Sequence, residues 1–476
     1  MTNEPPLRLG LCGLGLEAYW AQFAGLRDRL GGQVAEVAAR LERPGVTVVS
    51  LGLVDTPERS AEAGRECRRQ DIDVLFMYVT TYALSGTVLP LVQRAGVPVV
   101  VLNLQPGAAI DYAAFNRLRD RTAMTGEWLA YCTACPVPEI ANVLARAGIA
   151  FHQVTGVLGE EPAWREIEEW LAAARVRSVL ASTRLGLMGH YYGGMLDIMT
   201  DLTLVSIAFG THVELLEVDE LGALAAGAGA AAVARRSGEF REAFDVQPDC
   251  PTAELERAAR TSVALDAFAA RHRLGALAYY HKGTGNPANE DTMSSIILGT
   301  SLLTGRHIPV AGEYEVKNAL AMKILDALGA GGSFTEYYAV DFNNDVVLMG
   351  HDGPGHIAIS EGKAKVRPLQ VYHGKVGRGL SIEMSVKRGP VTLLSVAEDP
   401  QTRFRLQVAE GESVAGEVLE IGNTNSRYRF PLGARGFVEA WNAGGPAHHC
   451  AVGVGHLAST LRKAAELMGL GFRKVC

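Results

Sequence analysis

The sequence predicts an α/β protein: two doubly wound parallel-sheet α/β domains followed by a β-rich C-terminal domain, an antiparallel barrel or sandwich. Three observations predict it. The first hundred residues alternate short β-branched runs with helical stretches, the pattern of βα units. The same alternation resumes near Arg177. From about Val340 short alternating runs are separated by Gly, Pro, Asn and Asp turns, as in antiparallel sheets. The boundaries fall at 1–165, 166–335 and 336–476, without internal repeats or a low-complexity linker.

In order, Leu7–Cys12 reads as a strand, Tyr19–Leu41 as an amphipathic helix and Val46–Val54 as a strand buried on both faces. A polar helix from Pro57 leads into Val74–Tyr78, and another helix into Val97–Leu102. Ser178–Thr183 reads as the strand that opens the second α/β region, with the Gly-rich loop Gly189–Met195 after it. Leu221–Ala234 reads as a packed helix and its flanking turn, and Thr252–His272 as a long helix. The strand Gly275–Tyr280 and a helix over Asp291–Leu303 follow. The β-rich part contributes Asp345–Met349, Lys365–Tyr372, Leu380–Val386, Val391–Val396, Phe404–Val408 and Glu417–Ile421, then a helix at Leu457–Met468 and a short last strand.

A chain of 476 residues can bury sizeable cores without disulfides or structural zinc. Its net charge of −7 supplies no basic surface for nucleic acid or acidic membranes, so a small neutral ligand fits better. The seven cysteines are odd in number and irregular in spacing, which argues for a reducing compartment. Cys132-Thr-Ala-Cys135 lacks the second pair that a zinc site needs and reads as structural. No apolar run approaches the roughly 18 residues of a membrane span, and the first residues lack the regions of a signal peptide. The expected location is cytoplasmic. Gly13-Leu-Gly15 lacks the third glycine of a dinucleotide fingerprint, so no nicotinamide cofactor is expected.

The chemistry-bearing segments are Ala311-Gly-Glu313-Tyr-Glu315-Val-Lys317, Gly331-Gly-Ser-Phe-Thr-Glu336-Tyr337, Leu348-Met-Gly-His351 and Gly444-Gly-Pro-Ala-His448-His449-Cys450. Each acidic or imidazole residue follows a glycine-containing turn. Glu313 precedes a helix with Val316, Leu320, Ile324 and Leu328 on one stripe, an amphipathic pattern. Glu336 and His351 are expected to flank the first strand of the β-rich domain. Two carboxylates with one or two imidazoles form a mixed oxygen and nitrogen set suited to Mn²⁺, Mg²⁺ or Co²⁺. Spacing leaves the bland reading open, because a Glu before a helix is usually a cap and a His pair usually lies at the surface. Glu315 is expected to point elsewhere and is the substitute if Glu313 is not a ligand.

In order and spacing these four segments resemble the L-arabinose isomerase / L-fucose isomerase superfamily, and arabinose isomerases in particular. The resemblance is specific in the C-terminal third and loose before it, where it rests on α/β texture. It implies an aldose–ketose isomerase for a pentose or hexose, with a divalent metal, Mn²⁺ foremost, held by Glu313, Glu336, His351 and His449. His448 would contact substrate or orient a ligand. Glu313 and Glu336 would be catalytic, one taking the C2 proton and the other moving the hydroxyl proton through a cis-enediol; a hydride shift is the competing route. The resemblance also implies a homo-oligomer with active sites near subunit interfaces. Candidate substrate-binding residues are His190, Tyr337, Tyr279, Tyr280 and Trp20, with His281 and Lys282 weaker; His152, His212, His272 and His373 read as structural or surface histidines. The turn after Cys12 and the Cys450 after the histidine pair depart from the arabinose isomerase pattern, which leaves the sugar open. A sugar epimerase or lyase and an inactive sugar-binding homologue are the alternatives.

Overall fold

The computed structural model describes residues 6–281, 285–369, 371–372, 375–376 and 378–476. The chain divides into two compact units, 3–178 and 179–476. The first holds a five-stranded parallel sheet of β1 (Leu7–Leu14), β2 (Val46–Val54), β3 (Val74–Val79), β4 (Val99–Gln105) and β5 (Phe151–Val157). Their order is β2-β1-β3-β4-β5. Every residue of β3 is buried, as expected for a central strand covered on both faces. The helix after β2 starts where its sequence dictates. Thr56 caps it by accepting from the Arg59 amide at 3.1 Å, and Pro57 occupies the first turn.

The second unit contains a four-stranded parallel sheet and a barrel. The sheet runs β9-β8-β6-β7, with β6 at Arg184–Gly189, β7 at His212–Leu216, β8 at Ala276–Tyr280 and β9 at Val310–Ala311. The barrel uses β10 (Gly331–Asp341), β11 (Val346–His351), β12 (Gly389–Glu398), β13 (Phe404–Val414), β14 (Thr424–Arg429) and β15 (Cys450–Val454). Its order is β12-β15-β10-β11-β14-β13, and β12 pairs antiparallel with β13 to close it, which removes the exposed edges. A final strand β16 (Gly471–Lys474) adds parallel to β13.

Several expectations change. Ser178–Thr183 is not a strand: through Ser182 it is the end of a 22-residue helix, Glu161–Ser182, and β6 begins at Arg184. Its short apolar run is ambiguous, and the length of the preceding helical pattern decides the outcome. Glu417–Ile421 lies outside any strand; the strand there is β14, whose polar sequence Thr-Asn-Ser-Arg-Tyr-Arg hides it. The Tyr19–Leu41 stretch is a short 3₁₀ turn, Glu17–Tyr19, and a helix from Leu26, started by Gly25 at φ +79°. The expected Asp291–Leu303 helix is two, Pro287–Met293 and Ile297–Gly305. The helix after Glu313, Val316–Ala327, is not amphipathic. All twelve of its residues are buried, including Lys317, Lys323 and Asp326. It packs against β8 and β9 and against the barrel strands β10, β12 and β15, so no face meets water. Among the described residues no helix is long and apolar enough to cross a membrane.

Candidate functional site

Three adjacent barrel strands and one turn aim their side chains at one point. Glu336 lies within β10, opposite Gly350 of β11, rather than flanking a strand. His351 ends β11, and its backbone N–H and C=O both bond Thr424 Oγ1 at 3.0 Å. His449 immediately precedes β15. Gly350 is required here, because a Cβ would stand 1.7 Å from the Thr424 carbonyl. Phe334, two residues before Glu336 and on the same strand face, packs its ring against His351 and His449, with centroids 4.4 Å from each.

Glu313 comes from the turn between β9 and the buried helix. It and Tyr314 both have positive φ, +55° and +63°. Two consecutive non-glycine residues in the left-handed region are strained, by on the order of 1–3 kcal/mol each. The turn delivers the carboxylate into the pocket: Oε1 lies 3.9 Å from His351 Nε2, and Oε2 lies 3.4 Å from His449 Nε2 and 3.9 Å from His448 Nε2. Donor atoms of Glu313, His448 and His449 lie within 4.8 Å of one another, as do those of Glu336, His351 and His449. His449 belongs to both sets.

The outer nitrogens of the histidines are all engaged. His449 Nδ1–H donates to the Glu315 carboxylate. His351 Nδ1–H donates to the Asp352 carbonyl. His448 Nδ1–H donates to Asp197 Oδ2 at 2.6 Å. Each acceptor fixes the ring orientation and turns Nε2 toward Glu313, the arrangement that metal-ligating histidines use. Glu315 therefore points into the site, contrary to expectation: fully buried, it is His449's partner rather than a substitute for Glu313.

Residues 331–471 match the L-arabinose isomerase C-terminal domain family, and this segment carries Glu336, His351, His448 and His449. An L-arabinose isomerase from a Nocardioides species is 26% identical over 348 residues, covering 70% of this chain and 67% of that protein. The chain is an arabinose isomerase-like enzyme. Two solved structures are also similar: an ABC-transporter solute-binding protein from Burkholderia multivorans (11% identical, 64% of this chain and 97% of that one, TM-score 0.15) and a periplasmic sugar-binding protein from Legionella pneumophila (10%, 65% and 99%, TM-score 0.13). Neither score supports an argument about this fold.

In this arabinose isomerase-like chain burial governs the electrostatics. Burial first, then the neighbouring Glu336, Glu315 and Asp197, pushes the Glu313 carboxyl up to about 7, against the pull of His448. Glu336 is raised by burial and by Asp352. Burial pulls His448 down, but the Asp197 carboxylate outweighs it and holds the imidazole above its ordinary value.

The remaining predicted residues are spread out. His190 lies exposed on the loop after β6, its Nδ1–H on the Tyr191 carbonyl at 2.8 Å and its ring edge-on to Tyr280. Tyr279 is the penultimate residue of β8, before Tyr280, and its carbonyl accepts from the Tyr314 amide at 3.0 Å. Tyr337 does not join the cluster. As Glu336's neighbour along the strand it leaves on the opposite face and meets Phe437 edge-on at 6.2 Å. Trp20 belongs to the 3–178 unit, where its indole N–H donates to Asp55 at 2.7 Å. His281 is half-buried; Lys282 and His373 lie outside the described residues. Asp197 and Lys317 are functional candidates that sequence reasoning did not single out for the site. The signal for Asp197 was its place just after the Gly-rich loop Gly189–Met195, beyond the carboxyl end of a parallel strand, where ligands of such sheets bind.

The donor set fits a divalent cation. Two overlapping sets, Glu313 with His448 and His449 and Glu336 with His351 and His449, each bring a carboxylate and two imidazoles within 4.8 Å, slightly wider than the roughly 3–4 Å expected around a cation bound at about 2.1 Å.

Proposed function

We propose that the chain interconverts an aldose and its ketose, a pentose or hexose, using a divalent cation held by Glu313, Glu336, His351 and His449. Mn²⁺ is the preferred ion, with Mg²⁺ or Co²⁺ as substitutes. One observation carries the reading: the buried Glu313 and the half-buried Glu336 carboxylates face imidazoles whose outer nitrogens are already committed to acceptors. The similarity to L-arabinose isomerase supports the reaction class.

A cation held there supplies Lewis acidity toward the sugar's O1 and O2 and lowers the barrier to removing the C2 proton. The chain's own residues do the rest. Glu313 and Glu336 are both raised by burial, and as neighbouring carboxylates they favour sharing one proton. The ionised one takes the proton from C2 to give a cis-enediol. The other passes a proton between the sugar oxygens, and the first returns its proton at C1. His448 Nε2, beside Glu313, contacts a substrate hydroxyl, and Phe334 keeps the floor of the pocket dry. The loop bearing His190 and the ring of Tyr279 form the outer wall toward the sugar.

We also read the chain as a homo-oligomer with sites near subunit interfaces. Leu196, Ile207 and Leu215, each more than two-thirds exposed, support an apolar contact surface, which light scattering would test.

The deciding experiment strips the protein with a chelator, restores Mn²⁺ and screens pentoses, hexoses and deoxyhexoses, with Glu313→Gln as control. Ketose formation that needs the metal and vanishes in the variant supports the reading. A stereoisomer whose carbonyl has not moved would instead establish an epimerase, cleavage or elimination products a lyase, and ligand-induced stabilisation without turnover a sugar-binding protein.

A further inference from the structure

The loop after β6 is tied to the site by a set of bonds that the isomerase reading does not itself use. Asp197 Oδ2 accepts twice from one residue: from the His448 backbone N–H at 2.9 Å and from its Nδ1–H at 2.6 Å. The two residues are 251 apart in sequence. Because a carboxylate only accepts, Nδ1 carries the proton, and Nε2 is the ring atom presented to Glu313.

Asp197 is itself held from behind. Lys317, buried on the helix that follows Glu313, donates through Nζ to the Asp197 carbonyl at 2.7 Å and reaches the Met199 carbonyl at 3.4 Å. Lysine is seldom buried without a partner, and here its ammonium is spent on two loop carbonyls and on Glu398 at 3.7 Å. Thr200 Oγ1 donates to the same Glu398 at 2.6 Å. The loop can enter this cradle because Gly194 adopts φ +101°, with open space where a side chain would stand.

We propose that Asp197 is a positioning residue, which clamps the His448 ring so that Nε2 meets the substrate beside Glu313, and that Lys317 holds Asp197 in place. The inference rests on the isomerase reading for its catalytic consequence, but not for its geometry. Asp197 bonds none of the four proposed cation ligands, so its effect separates from cation binding.

The test compares Asp197→Ala, Asp197→Asn, His448→Ala and the Asp197→Ala/His448→Ala double variant. Asp197→Ala lowers kcat by about 10–100-fold, the usual cost of losing a group that orients an active imidazole, while Mn²⁺ affinity measured by electron paramagnetic resonance stays at the wild-type value. Asp197→Asn, whose amide oxygen still accepts, recovers most of the loss, and the double variant is no slower than His448→Ala. Wild-type kcat in Asp197→Ala, or losses that multiply in the double variant, would overturn the proposal. If the wild-type chain turns over no sugar, the function reading fails alone, and a long-range ¹H–¹⁵N histidine spectrum still decides. The His448 Nδ1–H signal, identified by its loss in His448→Ala, must be present in wild type and altered in Asp197→Ala; an unchanged signal refutes the clamp.

Discussion

Two neighbouring histidines make the same kind of bond in opposite surroundings. His449 is fully buried and donates to Glu315, itself fully buried on the turn that enters the central helix. His448 keeps 36% of its side chain exposed and donates to Asp197, which is 41% exposed on a loop. The inner pair sits where water cannot compensate a lost partner. The outer pair can be rehydrated when broken. The same acid–imidazole bond is therefore a structural commitment on one side of the pocket and an adjustable part on the other.

The largest effect is expected at the inner side. Glu313→Gln removes the proposed proton-transfer group and the proposed cation ligand together, and should lower turnover by about 10²–10⁴-fold or more. Stopped assays with restored Mn²⁺ check it, and retention of half the activity would end its catalytic assignment. Next, Glu315→Ala strands the buried His449 Nδ1–H and should weaken Mn²⁺ binding by about 10–100-fold, read by calorimetric titration. Glu315→Gln, which can still accept, should lose far less. If Glu315→Ala binds Mn²⁺ like wild type, the contrast between inner and outer pairs collapses.

Acidity supplies a third, smaller effect. Glu313 is raised from 4.5 to about 7, so between those values the native chain holds a proton that the unfolded chain has released. The metal-free protein should lose stability as pH rises through that window. Glu313→Gln should flatten this slope and raise the metal-free unfolding midpoint at pH 8 by a few degrees, with little change near pH 4.5. Thermal unfolding in chelator across pH shows whether it does.

The smallest effect lies away from the pocket. Burial pulls His272 down, but Glu214 and Glu220 lift it above its ordinary value, and its nitrogens bond them at 2.8 and 3.0 Å. Its contribution is present in full below the unfolded value of about 6.5 and lost as pH rises through the folded one. His272→Asn should therefore destabilise the fold more at acid than at alkaline pH, by under about 1 kcal/mol; a pH-independent difference would contradict the assignment.

What the sequence disclosed follows from where its signals are local. The bounds of Val46–Val54 and Thr252–His272 were legible to the residue because one run of β-branched side chains, or one long stripe, defines each. Val46–Val54, expected to be buried on both faces, is instead an edge strand with only Leu51 and Val54 buried. The strand over Thr424–Arg429 was not, since its side chains are polar and its pairing partners are distant. In the site, Glu313, Glu336, His351 and His449 were readable as candidates through the resemblance. Glu315 was not, because a glutamate just before a helix ordinarily reads as a cap, whereas its role here comes from His449, 134 residues away. Asp197 left one signal, its place beyond the carboxyl end of a parallel strand, but its role likewise depends on a distant partner, 251 residues away.

That left-handed pair has a consequence for how the chain matures. Left-handed backbone is costly at both residues, so the turn depends on the buried helix and the barrel strands packed around that helix to hold it. Capture of the proposed cation would then certify a completed fold, and a substitution that merely loosens the barrel should lower activity before it lowers the unfolding midpoint.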